Sequence, residues 1–322
     1  MNARTNHHLR GITATLLSTL CAGLAPILGK LAYQAGVEPM TLVTLRTVLA
    51  VGILWLFYLL FWRRLVSITG RNLLSCVGMG IANGVGSLLY YSGLARMDAS
   101  LAHLLYSMYP FWVFIFLSAA GHPISRLAIL RLGMALLSLF LLTWKGVALT
   151  DPLGVTLMLS AGALYGFHLV LGQWTLVDVD PRTVTLYVLT TMMGVVSLAR
   201  LAQAQPLEPI STQGWVAILL VALVPTAAAR LLVFAGLRRL GGVQTSLLSI
   251  AEVLVALTCA FAWLGEQFTW MQWLGAGIFG ISALLISRDT SLQIADEEMW
   301  WQNLFQEPPS GQVGDHSGTS AS

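Results

Sequence analysis

Charge is what this sequence has least of. Asp, Glu, Lys and Arg together make up 10% of 322 residues, against about 25% in soluble domains. That shortage, beside an apolar share of 57%, excludes an ordinary soluble protein. The formal net charge is +3, and the basic residues are scattered between apolar runs rather than gathered on one face, so no nucleic-acid footprint is present. Cysteine is scarce too. Cys21, Cys76 and Cys259 lie inside apolar runs with neither CxxC nor metal-ligand spacing, which implies no disulfide framework and no metal site. GxSxG, HExxH and a clustered Asp/His set are all missing. The alternative of an intramembrane protease or transferase therefore has no nucleophile with a base, and no metal constellation, to rest on. The expectation is a protein without catalytic residues and without a cofactor.

What the sequence has in abundance is long apolar runs. A hydrocarbon core of about 30 Å takes roughly 20 helical residues to cross, and residues 11 to 287 have room for ten such spans, or nine if one run is not a span. Apolar runs and their Pro, Gly and charge punctuation predict helices near 11–33, 40–61, 73–94, 99–119 and 125–143. A second set is predicted near 153–175, 182–202, 214–237, 242–264 and 269–287. The class is an all-α integral membrane protein. The run from Gly11 continues past Pro26 to Tyr33 and reads as an uncleaved first helix rather than a secretory signal. With a cytoplasmic N-terminus, the inner segments hold ten basic residues, among them Arg63, Arg64, Arg71, Arg182, Arg238, Arg239 and Arg288, while the outer segments hold only Arg96, Lys145 and Arg200. This bias places both termini in the cytoplasm of a multi-pass cell (plasma or inner) membrane protein.

The two halves resemble each other. Sliding residues 88–111 forward by 143 positions aligns Leu88, Leu89, Gly93, Leu94, Arg96, Leu104 and Leu105 with Leu231, Leu232, Gly236, Leu237, Arg239, Leu247 and Leu248. With one extra residue, Gly121 falls on Gly265, Gly133 on Gly277 and Ser138 on Ser282, and Pro39 corresponds to Pro181 at a shift of 142. Five helices per copy is an odd number, so the second copy enters the bilayer from the opposite face. Inverted repeats of this kind are a transporter signature, because two packings of equivalent halves give alternating access to one midplane site. The chain divides into residues 1–10, a repeat at 11–144, a repeat at 152–288 and a tail at 289–322. In the tail, Leu292, Ala295, Met299, Trp300 and Leu304 recur at helical spacing, which predicts an interfacial helix with Trp300 and Trp301 at headgroup level. Residues 307–322 are predicted to be disordered.

Gly23, Lys30, Pro39 and Arg46 resemble the opening of an EamA-type repeat of the drug/metabolite transporter superfamily, as does Gly93-Leu-Ala-Arg followed by a helix carrying Tyr109-Pro110. Gly236-Leu-Arg-Arg, Glu252 at a Glu-Pro position and Gly265-Glu266 are similar to the C-terminal repeat of that family. Two departures stand out. Val253 replaces the proline after Glu252, which predicts a straighter ninth helix, and His122 replaces the glutamate of Gly-Glu in the first repeat. The resemblance implies ten helices in two inverted five-helix repeats, a central cavity, and export of amino acids or related small metabolites.

An ionisable group near the bilayer centre costs about 2.5 to 3.5 kcal/mol on insertion scales, so each needs an explanation. Glu252 is the one carboxylate near a span centre, and it shares a stripe with Thr245 and Ser249 at i, i+4, i+7. It reads either as a cavity group for a substrate amine or a proton, or as the partner of Arg230 in a structural ion pair. Arg46, and Lys30 on a stripe with Thr15, Thr19 and Pro26, read either as attractors of a solute acid group or as helix-end residues. Pro26 frees a backbone carbonyl. Asn83, Ser87, Tyr90 and Tyr91 share one side of the third helix, and His103, Tyr106 and Pro110 share one side of the fourth. Aromatic groups with polar tips suit a solute-holding wall as well as helix packing. Tyr109 and Trp112 belong to the same candidate wall, and His103 and His168 are candidate proton carriers. Gly80 and Gly84 form a GxxxG, and Gly275, Gly277 and Gly280 line the last helix, the pattern of close helix contacts within the chain or in a homodimer. The partners expected are a small-molecule solute and the lipid bilayer.

Overall fold

The structure is a computed structural model that describes residues 3–97, 99–121, 126–142, 151–203, 208–264 and 269–285. Lys145, His122, Gly265, Glu266, Arg288 and the whole predicted tail lie outside the described residues. Every regular element among the described residues is helical. Six segments are long and apolar enough to cross a membrane: His8–Gln34, Pro39–Phe61, Gly70–Arg96, Pro152–Thr175, Pro181–Ala202 and Thr212–Ala256. The outward faces are oily, with Leu60, Phe61, Leu74, Leu198 and Leu201 exposed. Arg46, Asn83, His103, His168 and Glu252 are instead buried. A greasy exterior around a polar interior is the arrangement of a multi-pass protein in lipid.

The first repeat region contains α1 (Ala3–Gly23), α2 (Ala25–Gln34), α3 (Pro39–Phe61), α4 (Gly70–Arg96), α5 (Ala99–Tyr106), α6 (Tyr109–Ala119) and α7 (Arg126–Leu142). The second contains α8 (Pro152–Thr175), α9 (Pro181–Ala202), α10 (Thr212–Val221), α11 (Ala229–Ser249), α12 (Ala251–Leu264) and α13 (Trp270–Leu284). Proline occupies the first helical position of α3, α8 and α9, where its missing N–H costs nothing. The side chains of Asp151, Asp180 and Ser211 cap α8, α9 and α10. At Asp151 the Gly154 N–H chiefly, helped by Arg96, holds the carboxyl below its ordinary range.

Four of the predicted spans are interrupted. The first is broken at Leu24, the fourth at Ser107–Met108 and the ninth at Ile250. The eighth passes through a π-helical stretch, Ala222–Ala228, that contains Pro225. Gly241 (φ 76°, ψ 171°) divides that helix from the next, in a backbone region open essentially to glycine alone. The straighter ninth helix expected from Val253 is not found, because the Val253 N–H turns back to the Ile250 carbonyl at 3.0 Å, a tight i→i−3 bond.

Small residues set the packing. Gly80 and Gly84 of α4 lie against Thr191 and Val195 of α9, so this GxxxG is covered within the chain and lends no support to a homodimer. Gly162 and Gly166 of α8 lie against the Tyr106 and Tyr109 carbonyls. Ser138 Oγ donates to the Gly275 carbonyl at 2.7 Å, and Ser282 Oγ donates to the Arg131 carbonyl at 3.2 Å. Positions 131 and 138 are related to 275 and 282 by the same offset of 144, so α7 and α13 cross antiparallel in a self-reciprocal contact.

Candidate functional site: a charged central cavity

A cavity of about 90 Å³ lies at the centre of the bundle, small beside the ~300 to 1,000 Å³ of drug-sized sites. The helix interruptions border it. Ala22 and Ala25 flank the break after α1, Tyr106 precedes the break after α5, Pro225 lies in the π-helical stretch, and Glu252 follows the turn at Ile250. Pro26 has no N–H to give the Ala22 carbonyl, as the frees-a-carbonyl reading required. Gly23 lets α1 approach closely: a Cβ there would stand 2.8 Å from the Glu252 carbonyl oxygen and 2.7 Å from Val255 Cβ.

Arg46, Tyr90, His103, Tyr106, Arg230 and Glu252 all line this one cavity, together with Asn83. Arg46 donates to Thr226 Oγ1 at 2.6 Å and to Ser87 Oγ, and its guanidinium lies over the Tyr91 ring at 4.6 Å. Arg230 donates to Asn83 Oδ1 at 2.5 Å and lies 5.1 Å over the Tyr165 ring. Glu252 is 5% exposed and meets His103 at 3.9 Å, too far for a hydrogen bond. Neither His103 nitrogen has a hydrogen-bond partner. Of the two readings of Glu252, the ion pair with Arg230 is not formed: the arginine is held by Asn83, and the carboxylate faces the cavity.

The remaining candidates sit around the cavity rather than in its lining. His168 Nδ1 stands 3.0 Å from the Met79 carbonyl, and Nε2 stands 3.5 Å from Arg230 Nη1. A carbonyl only accepts, so Nδ1 carries the proton and Nε2 offers its lone pair to the guanidinium. The ring is a neutral support for Arg230. Tyr109 is fully buried in the apolar core, against Tyr106 and Tyr165. Trp112 stacks on Phe116 and is partly buried. Lys30 Nζ donates to the Met97 carbonyl at 3.0 Å, tying α2 to the end of α4. Tyr165, Thr226 and Pro225 are site residues that sequence reasoning passed over. Tyr165 lies three residues before His168, on the same face of a predicted span, and Val-Pro-Thr inside an apolar run was the available signal for the other two.

Apolar side chains pack beside the cavity. Met79, Val113, Leu117, Leu169, Phe234, Leu237, Val243 and Leu247 form a continuous cluster. On α4, α8 and the part of α11 before Gly241, Met79, Leu169, Phe234 and Leu237 lie from the cavity residues toward the end that bears Arg71, Arg238 and Arg239. There Gln173 Oε1 accepts the Gly242 N–H at 2.7 Å and holds the Gly241 turn. Among the described residues no three His, Cys, Asp or Glu side chains converge as metal ligands. The arrangement suits binding of a small solute through charge, hydroxyls and aromatic faces.

Comparison with known proteins agrees with such a role. The model of the EamA-like transporter family matches the chain twice, at residues 9–144 and 152–288. An uncharacterized transporter of Bacillus subtilis (strain 168), YcbK, is 26% identical over 280 residues, covering 83% of this chain and 89% of its own. A solved structure described only as "Crystal structure of protein" superposes with a TM-score of 0.69 at 16% identity, over 88% of this chain and 97% of its own, a likeness of fold alone. With both halves of the polypeptide matched, this chain belongs to the EamA-like transporter family, and it is a multi-pass membrane transporter.

Proposed function

We propose that this transporter exports amino acids or related small metabolites across the cell membrane by alternating access, with both termini cytoplasmic and a proton handled at Glu252 and His103. The observation that carries the reading is the single cavity in which interrupted helices from both repeats meet and a carboxyl group faces two guanidiniums without an ion pair to either. Interrupted helices at a repeat interface are where carriers place their sites. Ten crossings follow if α1–α2, α5–α6, α10–α11 up to Gly241, and Gly242–α12 each count once beside α3, α4, α7, α8, α9 and α13. The antiparallel α7–α13 contact supports inversion of the second repeat. The apolar cluster at the arginine-bearing end supports a conformation shut toward the cytoplasm. An amphoteric solute suits arginine and carboxylate in one cavity, its acid group on the guanidinium side and its amine toward Glu252.

Flux of labelled amino acids into liposomes containing the purified protein tests this. Wild-type flux is expected to saturate, to respond to an imposed pH gradient, and to be lost in Glu252→Gln with the protein still folded. Wild-type flux in that variant would remove Glu252 from the mechanism.

A further inference from the structure

Buried Arg46 and part-buried Arg230 line one cavity, and neither guanidinium is in an ion pair. Among the described residues no carboxylate lies within 4.0 Å of either Arg46 or Arg230, and their hydrogen-bond partners, Thr226, Ser87, Asn83 and His168, are all neutral. Each guanidinium has five N–H donors, and Arg46 Nε is buried with no partner at all. A guanidinium held away from water without an anion is costly, so an anionic group entering the cavity stabilises it.

The count of charges says how much anion. Arg46 and Arg230 are always charged, and among the described residues Glu252 is the one carboxyl group in the cavity lining, so the cavity holds more cationic than acidic groups. A solute with two acid groups answers both guanidiniums, a neutral amino acid answers one, and a cationic one adds to the excess.

Spacing adds a constraint. Arg46 is anchored at Ser87 and Arg230 at Asn83, positions four apart on α4, which sets the two anchors about 5 to 6 Å apart on one helix face. Acid groups three or four bonds apart span ~4 to 5 Å at about 1.5 Å per bond. We propose that the preferred solute is an amino acid with a second acidic group, its two carboxylates held by Arg46 and Arg230 and its ammonium facing Glu252. This rests on the transporter reading and narrows its substrate class.

Isothermal titration of the full-length protein in detergent with L-aspartate, L-glutamate, L-asparagine, L-lysine and succinate tests it. An acidic amino acid is expected to bind about tenfold or more tightly than asparagine, the worth of one charge-assisted contact. Lysine is expected to bind more weakly still, and succinate more weakly than aspartate. Arg46→Gln and Arg230→Gln should each collapse the aspartate-to-asparagine ratio toward one, and the wild-type ratio decides alone if either fails to fold. Equal or tighter binding of asparagine or lysine, tighter binding of succinate, or no binding of either acidic amino acid overturns the proposal. Saturable flux of neutral amino acids with no acid preference would sink this inference and leave the carrier standing. Selective aspartate binding without flux of any solute would do the reverse.

Discussion

Arg230 and His168 illustrate what individual residues reveal and conceal. Counting positions from the ends of apolar runs located Arg46, Arg230 and Glu252 deep in the spans, because charge that far from water is costly wherever it occurs. The count could not say which groups would meet. Arg230 takes Asn83 and leans on His168 rather than pairing with Glu252, a choice made by how close α4, α8 and α11 approach and not by spacing within any one of them. His168, one of two candidate proton carriers, is held neutral by the Met79 carbonyl on one nitrogen and Arg230 on the other. His168→Asn preserves a donor for the Met79 carbonyl and removes the acceptor for Arg230. It is expected to raise KM by about tenfold, one charge-assisted hydrogen bond's worth, with kcat and melting temperature little changed. His168→Phe removes both contacts and is expected to cost ~1 to 3 kcal/mol of stability by leaving buried groups unsatisfied. An unchanged KM in His168→Asn would show that the ring does not position the guanidinium.

Helix positions were legible where proline marked an N-terminus. Pro39, Pro152 and Pro181 open α3, α8 and α9 within a residue of the predicted starts. Interruptions within spans were legible only in part. Pro26 signalled the first, but apolar composition masks the others, since a run can be uniformly oily and still turn at Ser107 or Ile250. The π-helical stretch around Pro225 has no periodic signature at all; it shows in the Thr226 hydroxyl, which donates back to the Val221 carbonyl five residues earlier at 2.7 Å. Close approach between elements separates two glycines of like appearance in the sequence. Gly23→Val drives its side chain into Val255 and the Glu252 backbone carbonyl, and is expected to cost ~1 to 3 kcal/mol by overpacking and to impair flux. Gly52 faces open space on α3, so Gly52→Ala is expected to be neutral or to gain up to ~1 kcal/mol from helix propensity. Thermal melts in one detergent compare the two, and equal melting temperatures would contradict the packing assigned to Gly23.

At the scale of the molecule, the offset of 143 to 144 residues was readable before any coordinates, and it brings together features that identity counts could not value. It relates Tyr109 to Glu252, the residues just beyond the turns at Ser107–Met108 and Ile250, and it relates the two ends of the α7–α13 contact. Both copies therefore turn at one equivalent place beside the cavity. Two related halves around one cavity, with Phe234, Leu237 and their neighbours packed beside it, fit the proposal of a carrier that exposes its site to one side at a time. The most direct measurement is trans-stimulation in liposomes: initial uptake of labelled aspartate with and without unlabelled aspartate inside. Alternating access predicts saturable uptake that is accelerated by internal solute, because the loaded site returns faster than the empty one. Uptake that rises linearly with concentration and ignores internal solute would contradict it and leave a channel in its place.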